Sequence, residues 1–306
     1  REFRVLQRGA QRLQHLAAAF LDRGDEGLLG VEARAARHRV ADEVVHEVLT
    51  SGHASGKLTA LVGPSGTGKT IAIRHVQQRI ADELGVDDSE TGVLTVPVPF
   101  SCTARALAAA LLYALNDPSS GDRGTIWQKS IRIVDQLRAK NVRVVVFDEV
   151  HVLSAAGKPA AREETMTWLL NLLDGAGIPV VCVGLPDFLT VLSENARLRL
   201  RTTRIIKADP FGWDDYDGAF CSFLRMYQQK IGFPEFSDFS DEAFAKRLHV
   251  ASKGLIGIVT LLTNEAARLC LTRDHGPMCV THEDFENAYN SLFPYDANPF
   301  RPNYEG

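Results

Sequence analysis

Residues 63–70 read GPSGTGKT, directly after the apolar run LTALV and directly before IAIRHVQQRI. A strand, then a G-x-x-x-x-G-K-T loop, then a helix is the one local arrangement in which this string has a physical use. The glycines let consecutive backbone N–H groups turn inward onto phosphate oxygens, and the helix N-terminus adds a partial positive charge. Gly63, Pro64, Ser65, Gly66, Thr67, Gly68, Lys69, Thr70 and Ile71 therefore form an expected phosphate cradle. Lys69 is placed to reach β and γ phosphates, and the Thr70 hydroxyl to ligate Mg²⁺. At average residue usage such a string arises by chance in about one chain of this length in a hundred, and the flanking strand and helix make an accident rarer still.

The rest of the chain is organised around that loop. Short β-rich runs at 58–62, 93–98, 142–147, 179–183 and 204–207 alternate with helical stretches. Continuous Val/Ile runs bounded by polar turns describe strands buried on both faces, hence a parallel α/β sheet. Ahead of them, Phe3, Leu6, Leu13, Leu16, Ala19 and Phe20 fall at near-helical spacing, and Val40, Val44, Val45 and Val48 mark a second helix. Beyond residue 210 no comparable strand appears, and 214–230, 241–252, 255–271 and 282–292 read as helices.

A second acidic motif closes the third run: VVVFDE at 144–149. Asp148 is expected to hold Mg²⁺ through water, and Glu149 to polarise a water for attack on a γ-phosphate. Taken alone, two acids after apolar residues read as a plain strand end; the glycine loop about 80 residues upstream makes them the second half of a site. Further on, Arg197, Arg199, Arg201, Arg204 and Lys207 occupy an acid-free stretch. It is either a solvated basic strip or the source of an arginine finger, Arg199 or Arg201, reaching a neighbouring subunit's γ-phosphate. The sequence does not choose between them.

Composition matters mainly for what it excludes. Among 306 residues, 34 Lys plus Arg stand against 38 Asp plus Glu, a net charge of -4, so the chain is not coated in base. Nucleic-acid contact therefore needs a local patch. The longest apolar run, 106–115, is far short of the about 20 residues of a membrane span, and no secretory signal pattern is present. The chain opens on Arg1 rather than Met, which leaves room for residues ahead of it. Cys102, Cys182, Cys221, Cys270 and Cys279 lack C-x-x-C spacing and read as small buried hydrophobes of a reducing, cytoplasmic compartment. Trp127, Trp168 and Trp213 read as core.

Together these motifs resemble the AAA+ ATPases. Three blocks are similar to the transposition ATPases of the TniB/TnsC group, relatives of MuB: DEVHVL at 148–153, LLNLLDGAGIPVVCVGLPDFLTVLS at 169–193, and SKGLIGIVTLLTNEAA at 252–267. The resemblance runs from about residue 35 to 290. It implies a fold of class α/β, an AAA+ P-loop NTPase with a parallel αβα sheet domain followed by a small helical lid. The implied division is an N-terminal helical segment at 1–50, the nucleotide-binding αβα domain at 51–208, the lid at 209–293 and a tail at 294–306. It also implies ATP and Mg²⁺ as cofactors, with ATP held between subunits.

By the same resemblance, the protein assembles with ATP into rings or filaments on duplex DNA and engages a DDE transposase. A target-selection factor, such as a TniQ-like or CRISPR-associated complex, is a further implied partner. Weak, assembly-dependent hydrolysis then disassembles the polymer, in a bacterial cytoplasm and on the nucleoid when assembled. A γ-phosphate-sensing polar residue is expected near the end of the fourth strand, where Gly184-Leu185-Pro186-Asp187 offers Asp187. A lid arginine in a G-x-x-R setting is replaced by Gly254-Leu255-Ile256-Gly257. In the relatives DNA lines segments between the second and third strands, which points to Arg105, Arg123, Lys129 and Arg132; each reads equally well as a solvated helix charge. Such contacts are to phosphates and independent of sequence. The Asn298-Pro299-Phe300 motif is either a docking motif or part of a frayed tail.

Two other readings stay open. A replication-initiator or loader-type AAA+ ATPase is expected to carry a DNA-binding domain after the lid, and only about 15 residues follow the last helix. A nucleotide-switched signalling scaffold that binds no DNA suits the net charge.

Overall fold

The computed structural model describes residues 56–304, apart from 86, 88–91, 101–102, 120–122, 156–158, 214–217, 231–234, 237–238, 240 and 273–278. The expected helices within 1–50, and Cys102, lie outside the described residues.

Five strands form one parallel sheet: β1 Leu58–Val62, β2 Val93–Pro97, β3 Val144–Asp148, β4 Val180–Gly184 and β5 Thr202–Lys207. Their spatial order is β2-β3-β4-β1-β5, and every pairing is parallel. Burial explains that order. LTALV and VVCVG are buried at every position and sit inside the sheet. VLTVP and TTRIIK have one buried position each and form its edges.

Period-two alternation then sends each strand's side chains to two layers. Leu58, Ala60, Val62, Val145, Phe147, Val180 and Cys182 join one core with Leu107, Leu111, Ile133, Trp168 and Leu172. Leu61, Val144, Val146, Val181, Val183 and Ile206 join the other, with Ile73, Val76 and Ile80. The second layer is roofed by α1 Lys69–Leu84. The first is roofed by α2 Ala104–Ala114, α3 Ile126–Ala139 and, past the short α4 Val152–Ala155, by α5 Pro159–Ala176. Two short helices, α6 Phe188–Glu194 and α7 Ala196–Arg201, complete it. Thr125 caps α3 reciprocally with Gln128, the two-bond arrangement that closes orphan N–H groups. Burial pushes the Cys182 thiol up to about 12, so this cysteine behaves as core.

The chain divides into two compact units. The sheet unit takes in 56–65 and 69–208, and the other takes in 209–304 with Gly66–Gly68. In the second unit α8 Ala219–Lys230, α9 Glu242–Ser252, α10 Ile256–Leu271 and α11 His282–Leu292 surround an aromatic core of Phe220, Phe223, Tyr227, Phe239, Phe244 and Phe285. A two-residue pair, β6 Glu235–Phe236 with β7 Cys279–Val280, is a strand pairing that the sequence reading lacked. The GLIG segment is the sharp corner between α9 and α10, which bend by 113°. Lys253 and Gly254 take φ of 52° and 71° there, and a Cβ on Gly254 would overlap the Phe211 carbonyl.

The segment read as a tail is corrected in part. Phe300 is fully buried in the aromatic core, and Asn298 is 3% exposed. Asn298 donates to the Glu286 carbonyl and to Asn290 Oδ1, and Arg247 donates to the carbonyls of Pro299 and Arg301. Asn298-Pro299-Phe300 is thus an internal clasp of this unit. Among the described residues no single helix is long and apolar enough to cross a membrane.

Candidate functional site

The site grows from the carboxyl end of β1. Ala208 donates its N–H to the Val62 carbonyl at 2.8 Å, and Gly63 donates to Gly184 at 3.1 Å, which anchors the loop between the ends of β5 and β4. Gly66 and Gly68 take φ of 82° and 89°, a conformation that side chains resist. Glycine therefore stands at both of these turns. Lys69 is the first residue of α1, so the N–H groups of Lys69, Thr70 and Ile71 are among the four that a helix start leaves without intrahelical partners. They are donors for an anion.

Lys69 Nζ donates to the carbonyls of Gly63 and Pro64, both at 2.8 Å. Burial lowers the Lys69 ammonium below the usual lysine value, and the carboxylates of Glu149 and Asp148 oppose that shift. The same three residues that the sequence marked from two distant motifs thus act on one another in the folded unit.

Asp148 ends β3, and its Oδ1 accepts the Glu149 N–H at 2.9 Å. Glu149 itself has φ of 61°, a left-handed conformation that costs a non-glycine residue roughly 1–2 kcal/mol. The turn sends the chain across the end of β4, where Val150 donates to the Val183 carbonyl at 2.9 Å. Gly184 makes that crossing possible: a Cβ there would lie 2.9 Å from Val150 Cγ2 and 3.0 Å from His151 N. The Glu149 carboxylate stays open to solvent, with Oε2 at 3.0 Å from His151 Nδ1. His151 was quoted in DEVHVL without a role; its signal was its place two residues past an acid at a strand end.

The described residues contain no cluster of three or more His, Cys, Asp or Glu suited to a metal. A hydroxyl and one carboxylate, Thr70 and Asp148, are hard oxygen donors of the kind Mg²⁺ accepts when phosphates and water complete its shell. The donor set therefore fits Mg²⁺ held jointly with a nucleotide.

The other expected site residues separate cleanly. Arg199 and Arg201 both lie on α7. Arg201 is engaged by Asp174 at 2.5 Å, whereas Arg199 is exposed beside Leu200, itself 84% exposed. Asp187 sits in the exposed turn before α6, and Gly184 occupies the end of β4. Among the DNA candidates, Arg105 and Arg123 are exposed. Lys129 is corrected: at 2% exposure it cannot reach a phosphate backbone. Arg132 is partly exposed and engaged within the unit. It donates through Nη2 (2.5 Å) and Nε (3.3 Å) to Asp117, and through Nη1 to the Arg123 carbonyl. Burial alone would raise the Asp117 carboxyl, but Arg132, the Ser119 N–H and Gln136 outweigh it and hold the group below the usual carboxylate range.

Five parallel strands in this order, with a glycine loop after β1 and an acid pair at the end of β3, define an AAA+ P-loop ATPase fold. Solved structures bear this out. The Aeropyrum pernix ORC1 protein in complex with DNA superposes with a TM-score of 0.63 at 18% identity, covering 88% of this chain and 66% of that one. The Aeropyrum pernix ORC2 protein in its ADPNP-ADP complexes gives 0.64 at 14% identity, covering 89% and 72%. Cdc6p from Pyrobaculum aerophilum gives 0.57 at 17%, covering 83% and 66%. This chain thus spans about two thirds of the length of those proteins. No curated protein is a significant match. The bacterial TniB protein family matches over residues 36–207, more than half of the chain, and the chain belongs to that family.

Proposed function

We propose that this protein is an ATP-dependent regulator of DNA transposition that assembles on duplex DNA with ATP and disassembles on hydrolysis. The observation that carries the reading is the convergence of Lys69, Asp148 and Glu149 in one folded unit of a TniB-family chain.

The residues divide the work. Backbone N–H groups of the 63–71 loop hold the phosphates, and Lys69 exchanges its two loop carbonyls for β and γ oxygens. Thr70 and Asp148 would hold Mg²⁺, which when bound would supply neutralisation of phosphate charge. Glu149 accepts a proton from the attacking water. Its left-handed backbone turns the chain just past the end of β3, and His151 stands where it can hold that carboxylate until water replaces it. Arg199 serves as the finger toward a neighbour's γ-phosphate, since Arg201 is already neutralised by Asp174 within its own subunit.

For DNA, Arg105 and Arg123 remain as phosphate contacts, and binding falls steeply with salt. A fold-mate solved on DNA supports this part, and fold-mates with bound ADP and ADPNP support the choice of nucleotide. A DDE transposase and a target-selection factor are the proposed partners, in a bacterial cytoplasm.

The test is imaging of the protein with duplex DNA in ATP, a non-hydrolysable analogue and ADP. Rings or filaments with the triphosphates alone are expected. Single subunits under all three conditions would leave a nucleotide switch without a DNA role.

A further inference from the structure

On the sheet unit, α3 and α5 flank an open groove of about 910 Å³. Trp127, expected in the core, is instead 72% exposed there, and Ile131 one turn on is 45% exposed. With Val134 they form an i, i+4, i+7 apolar stripe. Asp135, Glu163 and Glu164 line the same groove and are exposed, while no Lys or Arg lines it. A further lining acid, Asp174, is held by Arg201. Leaving a tryptophan and an isoleucine in water inside a concave surface is a pattern that marks a binding site. From Glu163 to Asp174 the groove wall runs eleven residues of helix, about 16 Å at 1.5 Å per residue, which suits a guest helix of three turns.

The chain carries a matching guest. Between Arg4 and Leu21 it has Arg4, Arg8 and Arg12 and no acid. Leu13, Leu16, Ala17 and Phe20 fall at i, i+3, i+4 and i+7, the anchor spacing of a helix laid in a groove. Residue 21 is joined to 56 by 34 intervening residues, which reach at most about 110 Å when extended, so a neighbouring molecule is in range. We propose that the groove between α3 and α5 receives the N-terminal segment 4–21 of a second copy of this chain, its apolar stripe on Trp127 and Ile131 and its arginines against Asp135, Glu163 and Glu164. This rests on the reading that the protein assembles, and it supplies a head-to-tail contact separate from the nucleotide.

The experiment is sedimentation of the full chain over a concentration series, with and without ATP, alongside nucleotide binding. Trp127→Ala is expected to weaken self-association about tenfold, as truncation of an aromatic anchor does. Glu163→Lys with Glu164→Lys, and separately Arg8→Glu with Arg12→Glu, should do the same, and combining both reversals in one chain should restore it. Mixing Trp127→Ala with the Arg8→Glu/Arg12→Glu chain should recover association that neither shows alone, because each supplies what the other lacks. All variants should bind nucleotide as the parent does, which also reports their folding. If the parent assembles and the variants assemble equally, the groove proposal falls and the assembly reading stands. If Trp127 is shielded to the same degree at every dilution, the contact is within one chain and the proposal falls. A parent that stays single at every concentration and nucleotide state removes both.

Discussion

The sheet unit holds two clusters of charged groups, built in opposite ways. Around Asp117 every acceptor is used: Arg132 binds it twice, Gln136 donates at 2.5 Å, and the Ser119 N–H adds a fourth bond at 2.9 Å. The carboxylate is almost wholly buried. Around Lys69 the ammonium leans on two carbonyls of its own loop, with Asp148 and Glu149 acting on it through space. Glu149 remains 61% exposed on its side chain. The first cluster is closed, and a ligand has nothing to offer it. The second has donors and acceptors that a triphosphate and its water can satisfy better than the protein does. Saturated charge fixes the fold, and unsaturated charge at a strand end is left open to a ligand.

The two arginines of α7 test that contrast most strongly. Arg201 is paired with Asp174 at the surface, whereas Arg199 is exposed. Arg199→Ala should lower DNA-stimulated ATP turnover about a thousandfold with nucleotide affinity kept, the effect of losing a finger. Arg201→Ala should stay within about tenfold. Steady-state turnover of the assembled protein decides this, and the reverse ranking would break the comparison.

Glu149→Gln comes next. It preserves size and polarity but cannot take a proton, so turnover should fall by about 10²–10⁴ while assemblies persist on DNA. Unchanged turnover would remove Glu149 as the base. Lys69→Ala removes two charge-assisted contacts and should weaken ATP binding about a hundredfold. Equilibrium binding of a fluorescent ATP analogue reads it, and ATP-dependent assembly should fail with it.

Much of this was legible from residue order. The glycine loop was legible through spacing, because the turns at Gly66 and Gly68 need backbone conformations that few residues allow. The strands were legible because apolar runs in a parallel sheet are nearly continuous, and the observed ends differ by one or two residues. What failed were side chains whose roles depend on partners distant in sequence. Lys129 and Arg132 lie on one amphipathic helix and look alike there. Burial takes one off the surface, and a carboxylate fifteen residues upstream engages the other, which stays partly exposed. Trp127 failed in the opposite direction, as apolar neighbours in sequence gave no sign that its face of α3 would stay open. Phe300 was read as tail because a single aromatic has no period, yet it fills the centre of the helical unit's core.

The smallest effect probes the closed cluster and concerns stability rather than turnover. Arg132→Ala leaves a buried carboxylate with two of its four bonds and should cost about 2 kcal/mol of unfolding free energy at neutral pH. The pH dependence follows from the direction of the Asp117 shift. A folded carboxyl held below its unfolded value, about 3.9, contributes stability that is complete above that value and is lost as pH falls through the folded one. The gap between parent and variant should therefore be widest near pH 7 and narrow below about pH 4, as urea unfolding at the two pH values measures. Turnover per folded molecule should barely change, because Asp117 and Arg132 lie outside the loop and the acid pair. If instead turnover collapses while stability holds, Arg132 reaches a ligand in the assembly after all, and the closed cluster is a resting arrangement that DNA opens.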